Sequence, residues 1–408
     1  MKKTGLKTYI EANKKRLVEL TKELVRIPTV NPPGENYEKM ASLLDKKLTR
    51  LKLKTKKIET PKRLLKELKI QGSRRINLLA ELDAGAKETV HINGHYDVVP
   101  PTGSWKTDPF EPKIKAGRIY GRGTEDMKGN IAAIIVALEA IKACGLKPAY
   151  NIQLSFTPDE ETGGRTGFGY LVDKGYIKGD FGIGEGLHND FASYGNKGIL
   201  WIRVEVLGRA CHACEPHRGI NSFEKMVKVA NELIKHRRVI GRRKTSHFTK
   251  DPSHRHATMS LGGELWGGHK INIVPDISAF SIDRRLLPEE TVADVKRELQ
   301  AIIDKLKKKD KDLKVRFKVL AQEPAVVSKR DSHFFKLFSD AVKKVNGKRA
   351  KFAMLTGATD MRFLIRKGMP CVGYSIDGDD TCHGDDEYIR IKSLVDTAKV
   401  FALFLTRS

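Results

Sequence analysis

Between residues 76 and 187 short apolar runs alternate with helical stretches, and this alternation constrains the fold more than any other feature of the chain. "INLLAEL" (76–82), "ETVHINGH" (88–95), "YNIQLSF" (150–156) and "DFGIGE" (180–185) read as strands. "MKGNIAAIIVALEAIKACG" (127–145) reads as a helix closed by glycine, and "GFGYLVDKG" (167–175) as a shorter one. Strands that take turns with helices predict an α/β layered domain with a mixed, largely parallel sheet. Upstream, Ile10, Leu17, Leu20, Leu24 and Val25 give residues 9–27 a helical period that stops at the Pro/Gly loop "IPTVNPPGE". A second helix is predicted over 36–51.

The texture changes near residue 197. "GILWIRVEVLG" alternates like a half-buried strand, and "NSFEKMVKVANELIKH" follows as a helix. "HATMSLGGELWGG" and "DISAFSIDRRL" are strands, "ETVADVKRELQAIIDKLKK" is a helix, and "LKVRFKVL" is a strand. The order β-α-β-β-α-β is the ferredoxin-like pattern. A helix ("SHFFKLFSDAVKKV"), a strand ("GMPCVGYSI") and a closing helix ("KSLVDTAKVFALFLT") then resume the first texture. The expected organisation is a larger, discontinuous domain, 1–196 with 322–408, interrupted by an inserted α+β domain, 197–321.

No run of 18 apolar residues occurs, so no membrane-spanning helix is expected. The N-terminus has lysines but no apolar segment with a cleavage site, and the five cysteines are odd in number and scattered. Both point to the cytoplasm rather than to secretion. The net charge is +26, with basic runs at 46–69 and 235–244. The lysines are spread along the whole chain, lack interleaved aromatics and accompany no nucleic-acid motif, so they read as a solvated surface rather than a nucleic-acid footprint. Against that basic background, acidic clusters carry more information.

The acids and histidines fall at the ends of the predicted strands. "HINGHYD" closes one with His95, and Asp97 two residues on lies on the same side of an extended segment. A metal-bound histidine needs such an acceptor for its second nitrogen. "GRGTEDMKG" sets Asp126 at the start of a helix, where the dipole favours an anion. "PDEETGG" puts Asp159, Glu160 and Glu161 side by side after a strand, "FGIGEG" ends another with Glu185, and "DDTCHGDDEY" offers His383. Three adjacent carboxylates at the end of a buried strand need a positive partner. Open α/β sheets bind ligands at the carboxyl ends of their strands, and mixed imidazole and carboxylate donors suit zinc, cobalt or manganese. Taken singly each residue reads as a helix cap, a loop residue or a surface histidine; together they point to a metal pair.

In order and spacing, "HINGHYDVVP", "GRGTEDMKG", "TPDEETGG", "GIGEG", "GRACHACEPHRGIN", "INIVPD", "SIDRR", "TGATDMRF" and "CHGDDEYI" resemble the zinc-dependent deacylases and exopeptidases. That family includes succinyl-diaminopimelate desuccinylase, acetylornithine deacetylase, aminoacylase and the glutamate carboxypeptidases. The resemblance implies a dinuclear hydrolase of N-acyl amino acids or small peptides, with two divalent ions, zinc first. It implies that His95 and Glu185 hold one ion, Glu161 and His383 the other, and that Asp126 bridges them. Glu160 is then the general base, Asp97 orients His95, and Asp159 is structural. It further implies a homodimer formed by the inserted domain, with His212 donating to the oxyanion across the dimer. Asn272 and Arg285 would meet substrate carboxylate or carbonyl, and Thr359 the substrate backbone. The chain departs from the family where "GEG" stands for the frequent "GEP" and "GATD" for "GGTD". A zinc knuckle built from Cys211, His212, Cys214 and His217 is disfavoured by the cramped spacing.

Overall fold

The computed structural model describes residues 5–70, 72 and 74–408. The chain divides into two compact units. One takes the residues up to Tyr194 with Ser328–Ala353 and Thr359–Ser408, and the other takes Gly195–Val327 with Met354–Ala358.

The centre of the first unit is four parallel strands, in the order Asn151–Thr157, Thr89–His95, Phe181–Leu187 and Cys371–Tyr374. The first two of these are buried nearly from end to end, their polar residues His91, Asn93, Gln153 and Ser155 hydrogen-bonded to one another, as a sheet covered on both faces requires. Antiparallel strands complete the edges: Ile76–Leu82 and then Lys54–Glu59 on one side, Phe191–Asn196 on the other. The helix Gly129–Ala143 has almost no exposed face and packs against Ile391–Thr406 and Lys14–Val25. A helix that is apolar all round must be covered on all sides.

Three local readings change. The expected single helix over 9–27 is two, Leu6–Ala12 and Lys14–Val25, parted at Asn13, whose side-chain amide donates to the Tyr9 carbonyl at 2.9 Å. The strand Lys54–Glu59 lies inside the basic run, where only Ile58 is buried. Lysine on an edge strand hides the alternation and also discourages edge-to-edge pairing. Asp126 does not open a helix: it sits in the irregular turn Thr124–Lys128 with φ −122° and ψ 93°, and the regular helix begins at Gly129.

The second unit is a four-stranded antiparallel sheet in the order Thr258–Gly267, Ile277–Leu286, Gly198–Leu207, Lys314–Glu323. Leu200, Ile202, Val204 and Val206 share a core with Val229 and Leu233 of the helix Ser222–Ile240 and Leu299 and Ile303 of Val292–Lys309. This is the ferredoxin-like arrangement. Asn221 caps the first of these helices by accepting from the Phe223 and Glu224 amides, and Thr291 caps the second through Asp294. Among the described residues no helix is long and apolar enough to cross a membrane. All five cysteines are free.

Candidate metal centre

The parallel strands end on one edge, and the candidate ligands collect there. His95 is the last residue of its strand, Glu161 follows the strand Asn151–Thr157, and Glu185 lies within Phe181–Leu187. A small sheet brings in the rest: Arg118–Tyr120 pairs antiparallel with Tyr388–Arg390, which draws the turn of Asp126 toward the loop of His383. Two sets of ligand atoms result. His95, Asp126 and Glu185 lie within 4.8 Å of one another, and so do Asp126, Glu161 and His383. Asp126 belongs to both. Its Oδ1 is 2.7 Å from His95 Nε2 and its Oδ2 is 3.1 Å from His383 Nε2, which is also 3.1 Å from Glu161.

The electrostatics describe a pocket short of positive charge. Burial, with the Asp126 charge second, pushes Glu185 up to about 8 and Glu161 up to about 7. Burial and the neighbouring Glu185 raise Glu160 well above the usual carboxylate range. Asp126 moves the other way: burial works against its ionisation, but His95 and His383 hold it below that range. Hydrogen bonds to Asp126 and Glu161 raise His383 to about 11. The raised glutamates and His383 are groups whose protons a bound cation would replace. Divalent cations displace such protons, so the donor set, its spacing and its charge fit a metal pair.

The three acids after Thr157 have separate fates. Asp159 is buried against Arg75 at 2.9 Å and accepts from Asn31 at 3.1 Å. Glu161 belongs to a ligand set. Glu160 belongs to neither and has the Arg362 guanidinium 3.8 Å away. Asp97 supports both sides of the site. Its backbone carbonyl is 3.1 Å from His95 Nδ1 and its carboxylate 3.4 Å from the same nitrogen. The carboxylate also accepts the Glu160 and Glu161 amides at 3.2 and 3.3 Å and the Asn31 amide at 2.8 Å. Gly186, where proline is frequent in the family, donates its N–H to Ser375 at 2.9 Å. A Cβ there would lie 2.2 Å from the Gly373 carbonyl carbon. This loop is therefore held by a bond that proline could not make.

A buried ion pair ties the Asp126 turn to the His383 loop. Arg122 and Glu387 are each about 1% exposed at the side chain and meet at 2.7 Å. Glu387 also accepts the Gly123 and Glu125 amides at 3.0 and 2.9 Å, and Arg122 donates to the His383 carbonyl at 3.3 Å. Removing one partner of such a pair strands a buried charge. Glu387→Ala is expected to destabilise the fold by about 3–5 kcal/mol, read as the loss of unfolding free energy in denaturant. A change under about 1 kcal/mol would show that water replaces the pair.

The remaining candidates are divided between the two units. His212 and Asn272 sit together in the second unit, where Cys211–His212 pairs with Ile273–Val274 and the Ala213 amide donates to the Asn272 carbonyl at 3.0 Å. Both border an open cavity of about 380 Å³. Arg285, also in that unit, makes a two-point ion pair with Asp283 at 2.8 and 3.0 Å. Thr359 is buried in the first unit. Among the described residues, Cys211, His212, Cys214 and His217 form no ligand cluster. Sequence reasoning gave no role to Arg75, Arg122, Arg362 or Glu387. Three of them lie inside the quoted motifs, and the available signal was a basic residue within an acidic motif or an acid beside a ligand.

The sequence profile described as "Peptidase family M20/M25/M40" matches residues 91–407. An uncharacterized metallohydrolase of Methanocaldococcus jannaschii is 31% identical over 409 residues, covering 94% of this chain and 97% of that protein. The succinyl-diaminopimelate desuccinylase of Pelagibacter ubique is 29% identical over 402 residues, covering 95% and 97%. The crystal structure of an M20 family metallo-carboxypeptidase from Sulfolobus solfataricus superposes with a TM-score of 0.77 at 20% identity, over 96% of this chain and 98% of that one.

Proposed function

The chain belongs to peptidase family M20/M25/M40 and is a metallohydrolase, and from that premise we propose that it hydrolyses the amide bond of an N-acyl amino acid or a small peptide. The observation that carries this reading is the sharing of Asp126 between two ligand sets, with Glu160 beside both and part of neither. His95 and Glu185 would hold one divalent ion, Glu161 and His383 the other, and Asp126 both. Zinc is the first choice for these donors, with cobalt or manganese as substitutes. When bound, the ions supply Lewis-acid activation of the carbonyl and a nucleophile at neutral pH. Glu160 takes the proton of the attacking water and passes it to the leaving amine. Asp97 fixes the His95 ring and the backbone of the Glu160 loop together. His212 is assigned to the oxyanion, Asn272 and Arg285 to a substrate carboxylate or carbonyl, and Thr359 to the substrate backbone, all by family resemblance.

Within this class, N-succinyl-diaminopimelate is the substrate we favour. The "TDMRF" run resembles the desuccinylase branch, and a charge of +26 attracts a multiply anionic substrate. Such an enzyme serves amino-acid biosynthesis in the cytoplasm. N-acetylornithine and dipeptides are the alternatives. A non-catalytic binding role for the basic surface is opposed by the complete set of ligands and base. The deciding experiment is a screen of zinc- or cobalt-loaded protein against N-succinyl-diaminopimelate, N-acetylornithine, other N-acyl amino acids and dipeptides, with a chelated control. Chelator-sensitive turnover of the first is expected. Metal-loaded protein inert toward the whole panel would overturn the substrate class, and protein that takes up no metal would overturn the reading itself.

A homodimer through the inserted unit is part of the same proposal. Phe223, Val227 and Ile234 recur at helical spacing on Ser222–Ile240, and all three are exposed, Phe223 by 54%. An apolar stripe of this kind on an otherwise charged helix suits a second copy of the chain. Val227→Glu is expected to convert dimer to monomer in light scattering coupled to gel filtration. An unchanged mass would place the interface elsewhere.

A further inference from the structure

Glu160 stands on a loop that needs three left-handed residues, Asp159 (φ 70°), Gly163 (φ 103°) and Gly164 (φ 66°). From one side Asp97 accepts the Glu160 and Glu161 amides. From the other, Arg362 of the helix Met361–Arg366 donates Nη2 to the Gly163 carbonyl at 2.6 Å. This guanidinium is only 2% exposed and lies against the Phe363 ring, 4.4 Å from its centroid. Its Nη1 lies almost midway between two carboxylates, 3.8 Å from Glu160 Oε1 and 3.7 Å from Asp360 Oδ1.

Neither contact is a hydrogen bond, and that is the informative point. An arginine free to choose one buried carboxylate closes on it with two parallel bonds. Here Asp360 is as buried as Arg362, and neither of its oxygens has a hydrogen-bond partner. It is wedged against the loop so closely that a Cβ on Gly164 would lie 2.2 Å from Asp360 Oδ1. A general base must be oriented, yet its oxygens must stay open to the proton they accept. A guanidinium held back by a second carboxylate meets both needs.

We infer that Arg362 is the positioning residue of Glu160, clamping its loop through the Gly163 carbonyl, and that Asp360 is the counterweight that keeps the guanidinium from closing on the base. This rests on the reading of Glu160 as the proton acceptor. The side chain of Arg362 is committed to the loop carbonyl and to the Phe363 face, so its action on the reaction goes through Glu160.

The test uses the full-length zinc-loaded protein with a substrate identified in the panel. Arg362→Met is expected to lower kcat roughly 10²-fold, as a misplacement of about 1 Å does, with KM changed less than about threefold and two metals still bound. Arg362→Lys keeps the charge but loses the planar fork, and is expected to recover part of kcat. Asp360→Asn is expected to lower kcat as the guanidinium moves onto Glu160. The decisive comparison is the double variant Glu160→Gln/Arg362→Met. A residue acting through Glu160 adds no loss to that of Glu160→Gln alone, whereas a merely structural one multiplies it. Amide hydrogen exchange across 159–164 gives a readout independent of substrate and is expected to rise in Arg362→Lys, the variant that keeps the inference testable if Arg362→Met fails to fold. Normal kcat in Arg362→Met, a multiplied loss in the double variant, or unchanged exchange in Arg362→Lys overturns the inference. An active Glu160→Gln overturns instead the assignment of the base, whatever Arg362 does.

Discussion

Glu160→Gln is expected to leave both metals bound and to reduce turnover by roughly 10²–10⁴-fold, the range for loss of a positioned general base. The side chains of Gln and Glu have nearly the same shape, so the loop, its left-handed residues and the Asp97 contacts to its backbone are kept. What is lost is the capacity to accept a proton. Since Glu160 lies outside both ligand sets, metal content measured by plasma mass spectrometry should stay at two per chain, and KM should stay near its original value. The neighbouring Glu161→Gln is the control, because Glu161 is in a ligand set and its loss should lower metal content as well as rate. If the two variants behaved alike, the division of labour between adjacent acids would be wrong.

Asp126→Ala is expected to lower metal content from two per chain toward zero and turnover to the uncatalysed background. The expectation follows from counting. Glu185→Ala and His383→Ala each remove a donor from one set, but Asp126 is the member common to both. It is also the carboxylate that both histidines contact, at 2.7 and 3.1 Å, so its removal takes an oxygen donor from each set. Titration of the chelated protein with zinc in a calorimeter separates the cases. Glu185→Ala and His383→Ala should each retain one strong event, and Asp126→Ala none. A surviving strong site in Asp126→Ala would mean that the two sets do not depend on a shared oxygen.

Much of this architecture is legible in the sequence, and the reasons are physical. The central parallel strands are buried nearly from end to end although polar residues such as Gln153 and Ser155 alternate with the apolar ones, and the half-buried strand Gly198–Leu207 leaves a clean alternation. Both patterns survive whatever the rest of the chain does. The edge strand Lys54–Glu59 left no pattern, because an edge exposed to water accepts lysine at nearly every position. The ligand candidates were visible because acids and histidines at strand ends have few structural uses in such numbers. Their supporting cations were not. Arg75 reaches Asp159 across more than eighty residues, and Arg122 reaches Glu387 across 265. Nothing local marks a cation whose carboxylate partner is that far away. Asp126 shows the opposite error, in which a local rule was applied where tertiary contacts decide. A helix dipole would favour an anion at the first turn, but the helix starts three residues later and it is His95 and His383 that contact Asp126.

The interruption of the first unit by the second has a consequence for how the protein is made. A chain lengthening from its N-terminus lays down His95, Asp126, Glu161 and Glu185 early, but the order of the sequence withholds His383 and Glu387 until nearly two hundred more residues have been added. Throughout that interval Arg122 has no Glu387 to meet, and the Cys371–Tyr374 strand that borders Phe181–Leu187 does not yet exist. The ferredoxin-like sheet, by contrast, is drawn from one continuous stretch that ends at Glu323. It can close while the sheet around it still waits for its fourth parallel strand. Completion of the first unit thus depends on long-range closure rather than on local helix formation. A chain halted at residue 323 would carry all four strands of the ferredoxin-like sheet but neither His383 nor Glu387 of the acidic pocket.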